Sequence, residues 1–160
     1  MEACIAMAGL GSGRTHRIVG RVRELTVIRN ALEDAGSGKS RVIVFGGPPG
    51  IGKTTLAEEA CRLGEAESAT VCWVRCSDVA PASPLWVWQR IVEQLTIEDR
   101  HSVLKKLADF AGEATEQPEA DRAGRGRFAV FEAVRRSLVE ACAVGLHVVV
   151  IDNLQWADIA

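Results

Sequence analysis

Two stretches carry residue types that handle phosphate. In GGPPGIGKTT, residues 46–55, the spacing Gly47-x-x-x-x-Gly52-Lys53-Thr54 matches the phosphate loop. Phosphate oxygens need many donors at close range. Gly50 and Gly52 let successive backbone N–H groups turn inward. A helix starting near Lys53 adds the positive end of its dipole. Lys53 supplies a flexible point charge for the outer phosphates. The Thr54 hydroxyl is a ligand for Mg²⁺, and Thr55 falls near the innermost phosphate. Pro48 and Pro49 stiffen the loop and remove N–H groups that would need partners. Ile51 completes the turn between the last two glycines.

The second stretch is VVVIDNLQWAD, residues 148–158. Four apolar residues run into Asp152, as expected of a buried strand that presents an acid to the magnesium side of a phosphate site. The competing reading is a strand-ending Asp that caps the following turn. Asn153 comes next, and an amide is no general base near neutral pH. Neither Gln155 nor Trp156 replaces it. Glu58 and Glu59 read as solvated on the helix after the loop.

These residues need elements to hold them. Val22, Leu25, Ile28 and Leu32 repeat at helical spacing, and residues 36–38 stop that helix. RVIVFGG predicts a short buried strand before the loop. KTTLAEEACRLGEA predicts a helix after it, with Leu56, Ala60 and Leu63 on one side. ATVCWVRCS is a second strand. Leu85, Trp88, Ile91, Val92 and Leu95 mark a helix, and a weaker one spans residues 97–111. Residues 112–126 read as a loop. Phe128, Phe131, Val134, Leu138 and Cys142 mark the inner face of another helix, and HVVVID is the third strand. Alternating strands and helices predict an α/β fold: a three-layer α/β/α P-loop NTPase with a mainly parallel sheet, incomplete at its C-terminal end. Residues 1–17 read as a flexible leader and residues 18–160 as the domain.

Bulk properties remove other classes. The chain has 160 residues, 48% apolar and 25% charged, with net charge −2, so nothing global favours nucleic acid or membrane. No apolar run reaches the ~18 residues a bilayer needs, and the N-terminus lacks the form of a secretory signal. A cytoplasmic location is expected. Five cysteines, Cys4, Cys61, Cys72, Cys76 and Cys142, read as free thiols. Along a strand, Cys72 and Cys76 stand roughly 13 Å apart, beyond the ~7 Å reach of a bridge. No spacing suggests a metal site made from protein ligands alone. The four tryptophans read as packing residues, and RAGRGR as solvated surface.

The set IVGRVREL, GGPPGIGKTTLAEEA, SPLWVWQRI, RFAVFEAV and VVVIDNLQWAD resembles one known family. It is the ATPase domain of large ATP-binding bacterial regulators of the LuxR type, the STAND class with an origin-recognition-complex-like AAA ATPase domain. Related domains occur in other activators and in some nucleotide cyclases. The resemblance implies ATP and Mg²⁺ as ligands. It places Val19, Gly20 and Arg21 near the adenine, with pairing to a surface acid as the alternative role for Arg21, residues 47–55 on the phosphates, Asp152 on the magnesium and Asp158 in the WAD tail. Lys53 and Asp152 are then the catalytic pair and Thr54 and Asp152 the metal residues. Many relatives carry a second acid where this chain has Asn153.

The resemblance implies an ATP-binding, slowly hydrolysing switch domain of a multidomain regulator. ATP and ADP are the expected small-molecule partners, DNA is contacted only through domains outside this chain, and the longer protein has scope to self-associate. The chain stops just past the second motif, so it reads as an N-terminal fragment. In the resembled fold a later strand enters between the loop strand and the Asp152 strand, so a gap in the sheet is expected. A P-loop small-molecule kinase, a DNA-handling AAA ATPase and a module that binds nucleotide without chemistry are the alternatives.

Overall fold

The computed structural model describes residues 18–78, 85–95, 97–113 and 120–157. In chain order the elements are α1 (Val22–Gly36), α2 (Lys53–Ala66), β1 (Thr70–Arg75), α3 (Trp86–Gln94), α4 (Arg100–Glu113), α5 (Ala120–Val144) and β2 (His147–Asp152). A single 3-10 turn follows at Leu154–Trp156. No helix among the described residues is long and apolar enough to cross a membrane.

β1 and β2 pair in parallel, with Thr70 beside His147 at one end and Arg75 beside Asp152 at the other. Alternation along the strands sends side chains to two faces. Cys72, Val74 and Cys76 form one face, buried with Val87, Ile91 and Leu95 of the α3 segment and Ala141 of α5. Val71 and its partner Val148 belong to the other face, where α2 packs. α1 lies against α2. Helices therefore cover both faces of a small parallel sheet, the α/β arrangement expected.

α2 approaches the sheet closely at Gly64. A Cβ there would stand 2.7 Å from Cγ2 of Val148 and 3.5 Å from Cβ of Ala69. Valine is stiff at χ1, so that methyl cannot turn away cheaply. On the far side α3, α4 and α5 share a second core of Val92, Val103, Leu107, Val130 and Val134.

The free edge of β1 is covered by a side chain. Trp73 N–H donates to Gln94 Oε1 at 3.1 Å, and Gln94 Nε2 donates to Trp73 O at 3.4 Å. Gln94 thus copies the pairing of a neighbouring strand and blunts an edge that would otherwise accept one.

Three expectations are corrected. Residues 41–46, expected as a buried strand, form no ladder, and Val42 and Val44 are 90% and 79% exposed. β2 is paired on one side by β1, and a cleft of about 390 Å³ separates its other side from residues 41–45. Without a neighbour at hydrogen-bond distance, β-forming residues make no strand. Residues 120–126, expected in a loop, are the first turns of α5; two isolated glycines lower helix propensity without ending the helix. The inner face of α5 is Val130, Val134, Ser137 and Ala141, while Phe128 is 72% exposed and Phe131 and Cys142 also face solvent. The smaller set lets α5 lie close to α3 and α4, and Ser137 satisfies its hydroxyl on Ala133 O at 3.0 Å.

Candidate phosphate and cation site

The loop between residue 46 and α2 is exposed and bends through left-handed glycines. Gly50 has φ +79° and Gly52, which precedes α2, has φ +97°. A side chain at either position would be strained. Gly52 releases the chain into α2, whose first N–H groups have no intrahelical partner and so can meet an anion. Lys53 Nζ folds back over the loop, donating to Gly47 O at 2.9 Å and Pro48 O at 3.0 Å. Pro48 O also accepts from Ile51 N–H at 3.4 Å. Pro49 is exposed and Thr55 half-buried.

Arg21 joins the start of α1 to this loop. Its Nη2 donates to Ile51 O at 2.8 Å, and its Nη1 pairs with Glu24 at 2.7 Å. That hydrogen bond holds the Glu24 carboxyl below its usual range. Val19 and Gly20 are exposed just ahead of it. Of residues 19–21, the structure ties Arg21 directly to the loop.

Asp152 closes β2 with a side chain 10% exposed. Its Oδ1 accepts from Thr54 Oγ1 at 3.2 Å and from Asn153 N–H at 3.0 Å. Its Oδ2 accepts from Arg75 Nε at 3.1 Å. Thr54 and Asp152 thus bring two hard oxygen ligands together, the chemistry Mg²⁺ selects. Among the described residues no three His, Cys, Asp or Glu side chains cluster as a metal site. A cation held at Thr54 and Asp152 would complete its shell with phosphate oxygens and water.

Asn153 has a structural reason to be an amide. It sits in the left-handed region at φ 59°, ψ 44°, which Asn tolerates better than most residues. Its Nδ2 donates to Cys76 O at 3.4 Å, joining the end of β2 to the residue after β1. An ionised acid could not donate there. Glu59 is no substitute base. Arg62 binds both of its oxygens at 2.8 and 2.6 Å, and this pairing lowers its pKa. Glu58 is exposed. Burial, with Asp152 nearby, pushes the Cys76 thiol up and keeps it protonated.

The apolar cleft beside β2 touches the site at Lys53 and Asp152 and runs back past Ala57 and Ile28. Arg75 is the site residue that the sequence did not disclose. It and Asp152 each close a strand, but only the register makes them neighbours. Asp158 lies outside the described residues.

The sequence matches the family described as AAA ATPase domain over residues 17–160. No curated protein and no solved structure matches.

Proposed function

The chain belongs to the AAA ATPase domain family, and from that premise we propose that it is a slowly hydrolysing ATP switch module of a multidomain signal-transduction regulator. The observation that carries the reading is the 3.2 Å hydrogen bond from Thr54 Oγ1 to Asp152 Oδ1. It brings the cation ligands of two distant segments to one place beside the loop.

The residues divide the work. Exposed loop N–H groups and the start of α2 receive phosphate oxygens. Lys53 exchanges two neutral loop carbonyls for anionic oxygens, which make stronger charge-assisted bonds. Arg21 holds Ile51 and so connects the loop to α1. Bound Mg²⁺ supplies charge neutralisation for the phosphates, while Thr54 and Asp152 orient it. The segment at residues 19–21 stands on the loop's flank as an adenine-side wall.

Slow turnover follows from the missing base. Asn153 spends its amide on Cys76 O, and Glu59 is held by Arg62. A site that binds well and hydrolyses poorly suits a switch, in which the loop and α1 change with the nucleotide and act on other domains. DNA contact, where it occurs, is assigned to those domains.

The test is ATP turnover by the full-length gene product. Phosphate release slower than about 1 s⁻¹, the low end for enzymes, with saturable ATP binding, is expected. Rapid turnover would contradict the switch reading, and a phosphorylated small-molecule product would replace it with a kinase.

A further inference from the structure

Arg75 already occupies the carboxylate that the cation needs. It is fixed there by topology. In the parallel ladder its Cα partner is Asp152, and both side chains leave the same face of the sheet, the face on which α2 packs. One bond joins them, Nε to Oδ2 at 3.1 Å. The other oxygen, Oδ1, is taken by Thr54 Oγ1 and Asn153 N–H. Every described partner of Asp152 is thus a donor, and Arg75 is the charged one.

The two partners differ in freedom. The Asp152 side chain is 10% exposed and held on three sides, whereas the Arg75 side chain is 59% exposed. An exposed guanidinium on a single Nε contact can leave without unpacking a core. The carboxylate cannot follow it.

We propose that Arg75 is a built-in competitor for the magnesium position. Its guanidinium neutralises Asp152 in the nucleotide-free protein and gives way when the divalent cation enters with the nucleotide. This rests on the reading of Thr54 and Asp152 as the cation ligands, and adds a residue that sets how much Mg²⁺ the site demands. Both cations are drawn to Oδ2, and a fixed positive charge beside the site also repels Mg²⁺. Removing Arg75 therefore tightens Mg²⁺. The effect is modest because the arginine is largely solvated, about two- to fivefold.

The experiment uses the full chain and a fluorescent ATP analogue. Its affinity is measured in EDTA and then as a function of MgCl₂ at fixed nucleotide, for the wild type, Arg75→Gln and Arg75→Lys. The Gln variant is expected to reach half-saturation at two- to fivefold lower Mg²⁺, with no tightening in EDTA, and the Lys variant to stay nearer the wild type. General damage to the site would weaken binding in both conditions, so it cannot imitate this pattern. An unchanged or higher Mg²⁺ midpoint in Arg75→Gln, with the wild type binding normally, overturns the competitor role alone. A Gln variant that fails to fold also overturns it, because the pair would then be a structural tie. A wild type that binds no analogue in either condition overturns the assignment of the site itself, and this inference with it.

Discussion

Thr54 at the start of α2 donates its hydroxyl to Asp152 at the end of β2 over 3.2 Å, although 98 positions separate them in the chain. No local rule links the two. The bond exists because α2 packs on the sheet face to which Asp152 points. Gly64 makes that packing close, so a helix contact about three turns away from the phosphate loop governs the geometry of the site.

Gly64→Ala tests that contact. On an isolated helix the change would stabilise by about 1 kcal/mol. Here the new methyl meets Val148 Cγ2 at 2.7 Å, and overpacking of ~1–3 kcal/mol outweighs the gain. Chemical denaturation should show net destabilisation. Val148→Ala should restore part of it, giving a double mutant more stable than the sum of the two single changes predicts.

Asn153→Asp should trade stability for turnover. It removes the amide donor to Cys76 O and sets a second carboxylate beside Asp152. The expected loss is about 1 kcal/mol, visible as a fall of a few degrees in Tm. It also supplies the acid that could activate water, so steady-state phosphate release should rise several-fold. A slower or unchanged rate in a folded variant would remove the missing base as the cause of slow hydrolysis.

The Cys61 thiol gives a pH signature. Burial, with Glu65 and Glu58 nearby, pushes its pKa up to about 11. In the unfolded chain the thiol loses its proton near 8.5, so between these values the native state binds more protons and stability falls as pH rises. The contribution is complete below about pH 8.5 and gone above about 11, with an upper limit of roughly 3.4 kcal/mol. Denaturation midpoints at pH 7.5, 9 and 10.5 should decline more steeply for the wild type than for Cys61→Ala.

The phosphate loop was legible because its chemistry is local: glycine spacing, Lys53 and Thr54 lie within a few residues of one another. Asp152 was legible as an acid ending an apolar run. Helix α3 was legible too, since Ile91, Val92 and Leu95 form one apolar stripe and all are buried. What failed depended on distant partners. Residues 41–46 have strand-forming side chains but no neighbour across the cleft. The inner face of α5 was set by how closely α3 and α4 approach, which Phe128 and Cys142 could not reveal. Arg75 became a site residue only through the register of two strands, and Asn153 acquired its reason only when Cys76 O stood opposite its amide.

The central claim is that Lys53 and Asp152 belong to one magnesium–nucleotide site, and calorimetric titration of ATP into the full-length protein addresses it most directly. The wild type should bind ATP more tightly with Mg²⁺ than with EDTA. Lys53→Ala should weaken binding in both conditions by about tenfold or more, the scale of a lost charged hydrogen bond. Asp152→Asn should abolish most of the Mg²⁺ enhancement and leave the affinity in EDTA nearly unchanged. Wild-type affinity that ignores Mg²⁺, or folded variants that bind as the wild type does in both conditions, would contradict the account.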